Sequence, residues 1–544
     1  MAKKNSIYIN TMSTNPRTTV TPQTQALPGR EAEMVANSAG GVTFQLDVWG
    51  QLDRFLILGS DTPTYYASAK TLTKQNGANV LKAIKLDGTK TVNRITEISL
   101  GGRAPKNDPA VFALALCAIH GDENTVKAAY AALPKVCRIG THLFQFVAAL
   151  DEIGKWNAAA KRGVAAWYTG RGVDKLAVQL LKYQSRDGWA HRDVLRLAHV
   201  KPANDVQSAL FRYAVKGAEG LEPNTEVPQL LVDFEKLKTA DAKTTIKLIE
   251  SNDDITWEMI STEHLKDPKV MAAMIPNMGL TALIRKLGQL TSIGVIKPLS
   301  SDMSVVLNKL TDTEALKGGR VHPLQLLIAL KQYSVGHGLK GSLVWKPVAQ
   351  VVDALNDSFY EAFNFIPTTN EGYLFGLDIS GSMFGGEVSG APGMYPAEVS
   401  AVMALAVAKR ENNYEMFGFD KTPKPLKISP SMRLDTVIEA MKNLRWSGGG
   451  TDCSLPMLYA LDRGYSGISA FVTFTDNETW AGKMQPVEAL ARYRNKYNPA
   501  AKMIVCGMTG TPFTIADPKD PGSLDLVGFD SSCPQLIQSF ASGK

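Results

Sequence analysis

Between residue 31 and about residue 360, apolar positions recur at three- and four-residue spacing in short bursts. From about 366 they gather instead into tight runs separated by amphipathic stretches. The first rhythm belongs to packed helices and the second to buried strands alternating with helices. Asp108-Pro109 supplies a cap and a first-turn proline, Val111, Phe112, Leu114, Ala115 and Leu116 a buried face, and Gly121 a stop, which together predict a helix. The same logic predicts helices over 141–153, 163–169, 175–183, 192–198, 206–215, 227–237, 241–251, 268–274, 280–290 and 323–333. Short helices in succession, with no strands between them, favour solenoid-like stacking in which each pair covers its neighbour's apolar face, although no fixed repeat period is legible. In the second part the pattern predicts strands over 372–378, 414–419, 469–475 and 502–507, and helices over 396–411, 432–444, 485–496 and 534–541. That alternation argues for a parallel sheet covered on both faces. The turn-rich stretch Ile366-Pro367-Thr368-Thr369-Asn370 marks the boundary, giving a helical domain over 31–365 and a sheet domain over 366–544.

At 544 residues, 44% hydrophobic and 20% charged, the composition is that of ordinary globular domains. No apolar run approaches the roughly 18 residues of a membrane span. Residues 1–30 open on Met1-Ala2-Lys3-Lys4 and continue in Ser, Thr, Asn and Pro, with no apolar segment of the secretory kind, and they read as a loosely draped tail. Cys117, Cys137, Cys453, Cys506 and Cys533 show no paired spacing and sit among apolar neighbours, which suits reduced, buried thiols and a cytoplasmic protein without a membrane partner. Asn477-Glu478-Thr479 matches a glycosylation acceptor, a match without weight in a chain expected to stay inside the cell.

The net charge of +7 is unevenly spread: residues 1–350 carry 43 basic against 31 acidic side chains, and residues 351–544 carry 16 against 21. Within the basic part, 155–201 holds Lys155, Lys161, Arg162, Arg171, Lys175, Lys182, Arg186, Arg192, Arg196 and Lys201 against Asp174, Asp187 and Asp193, with His191 and His199 added. An excess of this kind is the electrostatic footprint of a nucleic-acid surface, because neutralising phosphates supplies most sequence-independent affinity. A solvated helix face gives the same count, so charge alone leaves both readings open.

The sharpest chemistry lies at the strand ends. The apolar run from Tyr373 ends in Asp378-Ile379-Ser380-Gly381-Ser382, a carboxylate and two hydroxyls spaced two residues apart on the loop leaving the carboxyl end of a buried strand. Ser447-Gly448-Gly449-Gly450-Thr451-Asp452 adds a loop hydroxyl, and Phe471-Val472-Thr473-Phe474-Thr475-Asp476 adds a second strand ending in a carboxylate. Hard oxygen donors with few carboxylates and room for water suit Mg²⁺. A single Asp-Ser turn often does no more than cap a helix; three segments at strand ends point to a metal. A hydrolase using the strand-end Asp as nucleophile normally has an acid two positions on, where this chain has Ser380.

Asp378, Ser380, Ser382, Thr451 and Asp476 resemble the metal-ion-dependent adhesion site of von Willebrand factor A domains. The resemblance implies a coordination position left open for a partner's carboxylate. The helical part, in turn, resembles the Ro autoantigen family and its TROVE module. The matching runs are Arg54 to Ser60 with Thr64-Tyr65-Tyr66, Cys137 to Phe144, Gly188 to His199, Met278 to Leu283, and Arg320-Val321-His322-Pro323 with Gly336 to Leu339 and Gly341. These runs and the metal motif together span the chain from about 40 to its end. The implied fold is multidomain α and α/β, a ring of HEAT-like antiparallel helical repeats closed by a von Willebrand factor A domain with a Rossmann-like parallel sheet. The implied partners are small noncoding Y RNAs on a basic outer surface, single-stranded ends of misfolded or decaying RNA in a central hole, and, in bacterial members, an exoribonuclease bridged through the Y RNA. Such a hole selects by shape and end accessibility. The residues carried over as RNA contacts are Arg138, Lys182, Arg186, His191, Arg192, Arg196 and Lys201. His191 and Arg192 follow Trp189 at a helix start, where side chains and helical N–H groups together meet a phosphate. One departure is Gly140, where relatives are expected to carry Pro, a change expected to touch no contact residue. Trp167 and Trp189 are expected in the core rather than stacked on bases.

Two other functions compete with an RNA-binding scaffold. A metal-dependent protein adaptor shares the solenoid and the metal site but not the basic excess. A two-metal nuclease needs clustered carboxylates, and this site offers only Asp378 and Asp476.

Overall fold

The structure, a computed structural model, describes residues 20–59, 69–152, 156–318, 321–338, 342–362, 368–388, 391–444, 450–530 and 532–543. Residues 1–19 of the expected tail, Lys155, Ser60, Thr64, Tyr65, Tyr66, Arg320, Leu339, Gly341, Ile366, Pro367 and Ser447 to Gly449 lie outside them.

Eleven strands are placed: β1 (Met34–Ala36), β2 (Val42–Gln45), β3 (Ser185–Arg186), β4 (Trp189–Ala190), β5 (Gly372–Asp378), β6 (Asn413–Phe419), β7 (Pro423–Pro425), β8 (Ala470–Thr475), β9 (Lys502–Gly507), β10 (Phe513–Thr514) and β11 (Ser523–Val527). Six of them form the main sheet in the order β11-β9-β8-β5-β6-β7, parallel except for the β6–β7 pair. β5 and β8 lie at its centre and are buried almost throughout, as their continuous apolar sequences require. Helices Pro396–Ala408, Leu434–Asn443, Leu455–Arg463, Pro486–Lys496 and Cys533–Ser542 accompany this sheet. Helix Pro396–Ala408 is buried along its whole length, which explains why its sequence shows no polar face.

The helical part runs from Val48–Leu58 to Ala349–Glu361 as a succession of helices, each packed on near neighbours in chain order, as Asp108–His120 is on Ala69–Gly101, Glu123–Val136 and Gly140–Glu152. Both of its ends are fastened to the sheet domain. At the first end Arg54, 1% exposed, meets both carboxylate oxygens of Asp525 in β11 at 2.8 and 3.0 Å, and Arg103 meets Asp530 at 3.3 Å. At the last end Lys331 pairs with Glu398 at 3.0 Å, and the Leu434 amide donates to Asn356 at 3.1 Å. A helical succession that starts and finishes on one domain is a ring closed by that domain. Breaking a buried pair such as Arg54–Asp525 from one side costs about 3–5 kcal/mol, so the closure is firmly held.

The expected tail is corrected in part. From residue 20 the chain is packed onto the sheet domain rather than loosely draped. β1 and β2 form an antiparallel pair extended by β10, with Phe513 opposite Gln45 and Thr514 opposite Phe44. Gln23 is 0% exposed. Its amide donates to Asp452 at 2.8 Å and to the Met484 carbonyl at 3.0 Å, and accepts from the Thr479 hydroxyl at 2.6 Å and the Gly482 amide at 3.0 Å. Residues 20–46 therefore act as a strap belonging to the sheet domain, and the helical ring begins at Val48 behind its Asp47 cap.

Candidate functional site

Parallel pairing brings the carboxylates expected to hold a metal to one edge of the sheet. Leu377 of β5 lies opposite Phe474 of β8, which brings Asp378 alongside Thr475 and leaves Asp476 one residue further along the same edge. Asp378 is fully buried. One of its oxygens accepts from the Ser380 amide at 2.9 Å and the other from the Thr475 hydroxyl at 2.7 Å. The Ser380 and Ser382 hydroxyls are 3.1 Å apart. Asp476 accepts from the Glu478 amide through Oδ1 at 3.0 Å, while its Oδ2 is buried with no hydrogen-bond partner. Thr451 is anchored through its carbonyl, which accepts from the Trp480 and Ala481 amides at 3.0 Å. Asp378, Ser380, Ser382 and Asp476 thus lie at one edge of the sheet, Thr451 is held against the loop that follows Asp476, and all five are buried.

Burial, and then the neighbouring Asp476 charge, push the Asp378 carboxyl well above the usual carboxylate range, and burial raises Asp476 as well. Two buried carboxylates, one raised by the other's charge, with an orphaned oxygen on Asp476, are a donor set that suits a divalent cation. The residues fit Mg²⁺ on chemistry: oxygen donors only, two of them anionic.

Two neighbours escaped the sequence reading. Thr475 orients Asp378 yet precedes the motif residue Asp476, and nothing in its type sets it apart. Glu478, inside the dismissed glycosylation match, is fully buried. Burial, then Asp476, raises its carboxyl to about 8, and it accepts from the Ala39 amide of the strap at 3.1 Å. Asn37 of the same strap donates to the Thr479 carbonyl at 2.8 Å. The strap therefore grips the loop that follows Asp476.

The basic cluster divides under the same scrutiny. Asp187 and Gly188 both have left-handed backbone, φ 51° and 82°, the two-residue turn that joins β3 to β4 and holds Arg186 outward, 59% exposed. Arg192 is 54% exposed, Arg196 one helical turn later is exposed, and so is Lys201; Arg186 and Arg192 each also face the neighbouring acid, Asp187 at 3.4 Å and Asp193 at 3.2 Å. Arg192 and Arg196 share the outer face of helix His191–Ala198. Other expected contacts are committed elsewhere. Arg138 is half-buried and donates to the Ser99 hydroxyl at 2.9 Å and its carbonyl at 3.2 Å, and Lys182 faces Glu258 at 3.7 Å.

His191 is corrected outright as a direct phosphate contact. It is 3% exposed, its Nδ1 lies 2.8 Å from the Tyr168 hydroxyl, and its Nε2 lies 3.2 Å from the Gln179 carbonyl. These partners assign the neutral tautomer with the proton on Nε2, the hydroxyl donating to Nδ1. Packed against Phe144 at 4.7 Å, the ring is held neutral by burial, which lowers its pKa to about 4. Gly140 is also not neutral to the cluster: a Cβ there would lie 2.8 Å from Tyr183 Cβ and 3.0 Å from His191 Nε2, and its amide donates to Gln179 at 2.9 Å. A proline would lose that bond and press on the imidazole. Trp167 is fully buried, with its indole donating to the Cys137 carbonyl and Arg171 stacked 3.5 Å from its ring centroid, while Trp189 is half-buried. The cysteines of the chain are all buried and free. Among the described residues no helix is long and apolar enough to cross a membrane.

A helical ring closed by a sheet domain with a strand-end metal motif defines a class, and comparison places the chain within it. The TROVE domain model matches residues 35–250 and 236–371, and the Ro60 vWA domain model matches residues 372–541. The chain belongs to the Ro family, a TROVE domain followed by a von Willebrand factor A domain. It is 39% identical over 527 residues to the RNA-binding protein RO60 of Deinococcus radiodurans, covering 96% of this chain and 97% of that protein. It is also 31% identical over 587 residues to the RNA-binding protein RO60 of Caenorhabditis elegans, covering 94% and 90%. The crystal structure of the Deinococcus radiodurans RO (RSR) protein superposes with a TM-score of 0.69 at 38% identity, covering 91% of this chain and all of that one.

Proposed function

We propose that this protein is a non-catalytic RNA-binding scaffold of a small ribonucleoprotein. The observation that carries the reading is that nearly the whole chain aligns with proteins named RNA-binding protein RO60. On this reading a small noncoding, Y-like RNA lies on the outer basic face, where the exposed Arg186, Arg192, Arg196 and Lys201 meet phosphates. His191 acts beneath them as a positioning residue, joining helices Ala158–Thr169 and Val173–Lys182 to the helix that presents Arg192 and Arg196. Single-stranded ends of misfolded or decaying RNA enter the central hole, and an exoribonuclease bridged by the Y-like RNA acts on them, in the cytoplasm. A closed ring cannot admit a duplex without breaking the ion pairs that fasten its ends.

Asp378, Ser380, Ser382, Thr451 and Asp476 would hold Mg²⁺, with Thr475 orienting the first carboxylate. Bound there, the ion supplies a positive position able to accept a partner's carboxylate. The site lies on the sheet edge, in a different domain from the basic face, so metal and RNA act independently.

Sequencing the RNA that co-purifies with the tagged protein tests the reading. Retention of one or a few structured small RNAs, released as salt rises, is the expected result. Recovery of no RNA at low salt, with the protein folded, favours the metal-dependent adaptor instead.

A further inference from the structure

Beside the basic face, a cavity of about 420 Å³ opens between helices Val173–Lys182, Asp205–Lys216 and Gln229–Leu237. That size falls in the range of small-ligand pockets, roughly 300–1,000 Å³. The first of these helices is followed by the β3–β4 hairpin rather than by another helix, so Gln184, Ser185, Ala190 and Arg192 form the mouth. Leu180, Leu181, Ala214, Val215 and Phe234 make the walls apolar. His191 lines the cavity too, but Tyr168 and Gln179 take both of its ring nitrogens, so it offers no polar atom.

The polar groups at the mouth differ in what they have left to give. Lys238 is answered by Glu235 at 2.6 Å, and its ammonium lies 5.2 Å from the centre of the Phe234 ring and 5.6 Å from that of Tyr213. It therefore completes the apolar wall with its stem and holds no charge in reserve for an anion. Arg192 gives Nε to Asp193 at 3.2 Å, while its two terminal nitrogens make no hydrogen bond among the described residues. Gln184 gives its amide nitrogen to the Leu181 carbonyl at 3.1 Å, while its Oε1 and the Ser185 hydroxyl have no partner among the described residues. Among those residues no acidic side chain lines the cavity. Apolar walls suit a flat, weakly polar ring, an amide oxygen and a hydroxyl at the mouth suit a polar ring edge, and the open end of a guanidinium suits a phosphate beside that ring. A nucleotide presents all three together. Within a duplex its ring is stacked and paired, so only an unpaired nucleotide can offer it.

We infer that this notch takes one unpaired base of the bound RNA, splayed from a bulge or internal loop. The ring lies between Leu181, Val215 and Phe234, its edge meets Gln184 Oε1 and the Ser185 hydroxyl, and its phosphate meets Arg192. This assignment rests on the RNA reading and deepens it: phosphate contacts on the basic face supply affinity along any RNA, and the notch fixes where on a structured RNA the protein sits. One acceptor and one hydroxyl can be met by the edge of any base, so the notch separates unpaired from paired nucleotides rather than one base from another.

The test is binding of the full-length protein to three blunt RNA duplexes of one sequence: fully paired, with one bulged nucleotide, and with an abasic residue in the bulge. Blunt ends keep all three out of the central hole, and the abasic bulge keeps the backbone but lacks the ring. The bulged duplex should bind about tenfold tighter than the other two, the scale of one stacked base. A214L, which fills the cavity, and the exposed rim variant Q184A/S185A should each remove that preference with no change in salt slope, since no phosphate contact is lost. R192S should instead make the slope for the bulged duplex shallower by about 0.9. Equal affinity of wild type for the three duplexes overturns the inference. So does a preference kept at wild-type strength by a normally melting A214L or, where A214L melts low, by the rim variant. Salt-sensitive binding of all three without preference rejects the notch alone, whereas no binding of any duplex at low salt rejects the RNA reading with it.

Discussion

At the carboxyl edge of the sheet, the expected oxygen donors from three distant segments are all buried, and one carboxylate oxygen, Asp476 Oδ2, has no hydrogen-bond partner. Along 138–201, residues chosen for their charge part company. Arg186, Arg192, Arg196 and Lys201 are exposed to solvent, the first two beside their neighbouring acids, while Arg138 and Lys182 are partly buried against other elements and His191 is core. The contrast follows from what each site requires. A cation would need converging donors, and the two carboxylates expected to hold it are pinned at strand ends whose register is set by the sheet. A phosphate surface needs only outward charge, and a charged side chain in a helical stack serves equally well as a helix-to-helix tie.

The largest effect expected from this contrast comes from the residue it reassigns. H191A should destabilise the protein by about 2–4 kcal/mol, because it leaves the Tyr168 hydroxyl and Gln179 carbonyl unpaired beside a new cavity. The wild-type contribution also has a pH signature. A histidine with a folded pKa of about 4, below its ordinary value of about 6.5, adds stability that is complete above pH 6.5 and is lost as pH falls towards 4. Melts from pH 8 to 4 should show that part of the slope missing in H191A. A variant that melts like wild type would return His191 to the surface set.

Next in size is the strap. Q23A removes an amide that serves Asp452, Met484, Thr479 and Gly482 at once, and should cost about 2–3 kcal/mol while weakening metal binding through the 476–485 loop. Unchanged stability and Mg²⁺ affinity would make residues 20–46 a passive covering.

Smaller still is the effect of the cation. At a tenfold excess over its dissociation constant, Mg²⁺ should stabilise wild type by about 1.4 kcal/mol and D378A not at all, with RNA affinity the same in both. Melts across a Mg²⁺ titration, with acetate included to fill the open position, decide it. A metal response equal in the two proteins would show that the cluster holds no ion.

Much of this could be read before any coordinates. The continuous apolar runs of β5 and β8, each ending in Asp or Thr-Asp, are legible because a central parallel strand has no polar face to interrupt it. Helices with a cap and a stripe, such as Pro268–Met274, emerged at their true bounds. Helix Ala69–Gly101 did not, since Asp87 breaks it with non-helical backbone and its stripe is weak, and helix Glu123–Val136 carries Pro134 in its last turn. β11 was missed because Ser523-Leu524-Asp525-Leu526-Val527 holds a carboxylate in mid-strand, whose partner, Arg54, lies more than four hundred residues away. The strap was missed for the same reason: Gln23 is polar and near the chain's start, and only its long-range partners make it buried. Charge was legible as a total; which charges are drawn inward depends on distant partners such as Ser99 and Glu258 that no local pattern reveals.

The central claim is that the outward charges of one helix face, not the histidine beneath them, meet RNA. Its most direct test is the affinity of a structured small RNA for wild type and for the double variant R192S/R196S across a salt series. Each lost phosphate contact lowers the slope of log affinity against log salt by about 0.9, so the account predicts a slope shallower by nearly two units, weaker binding at low salt, and unchanged melting. Equal slope and affinity in the two proteins would contradict it.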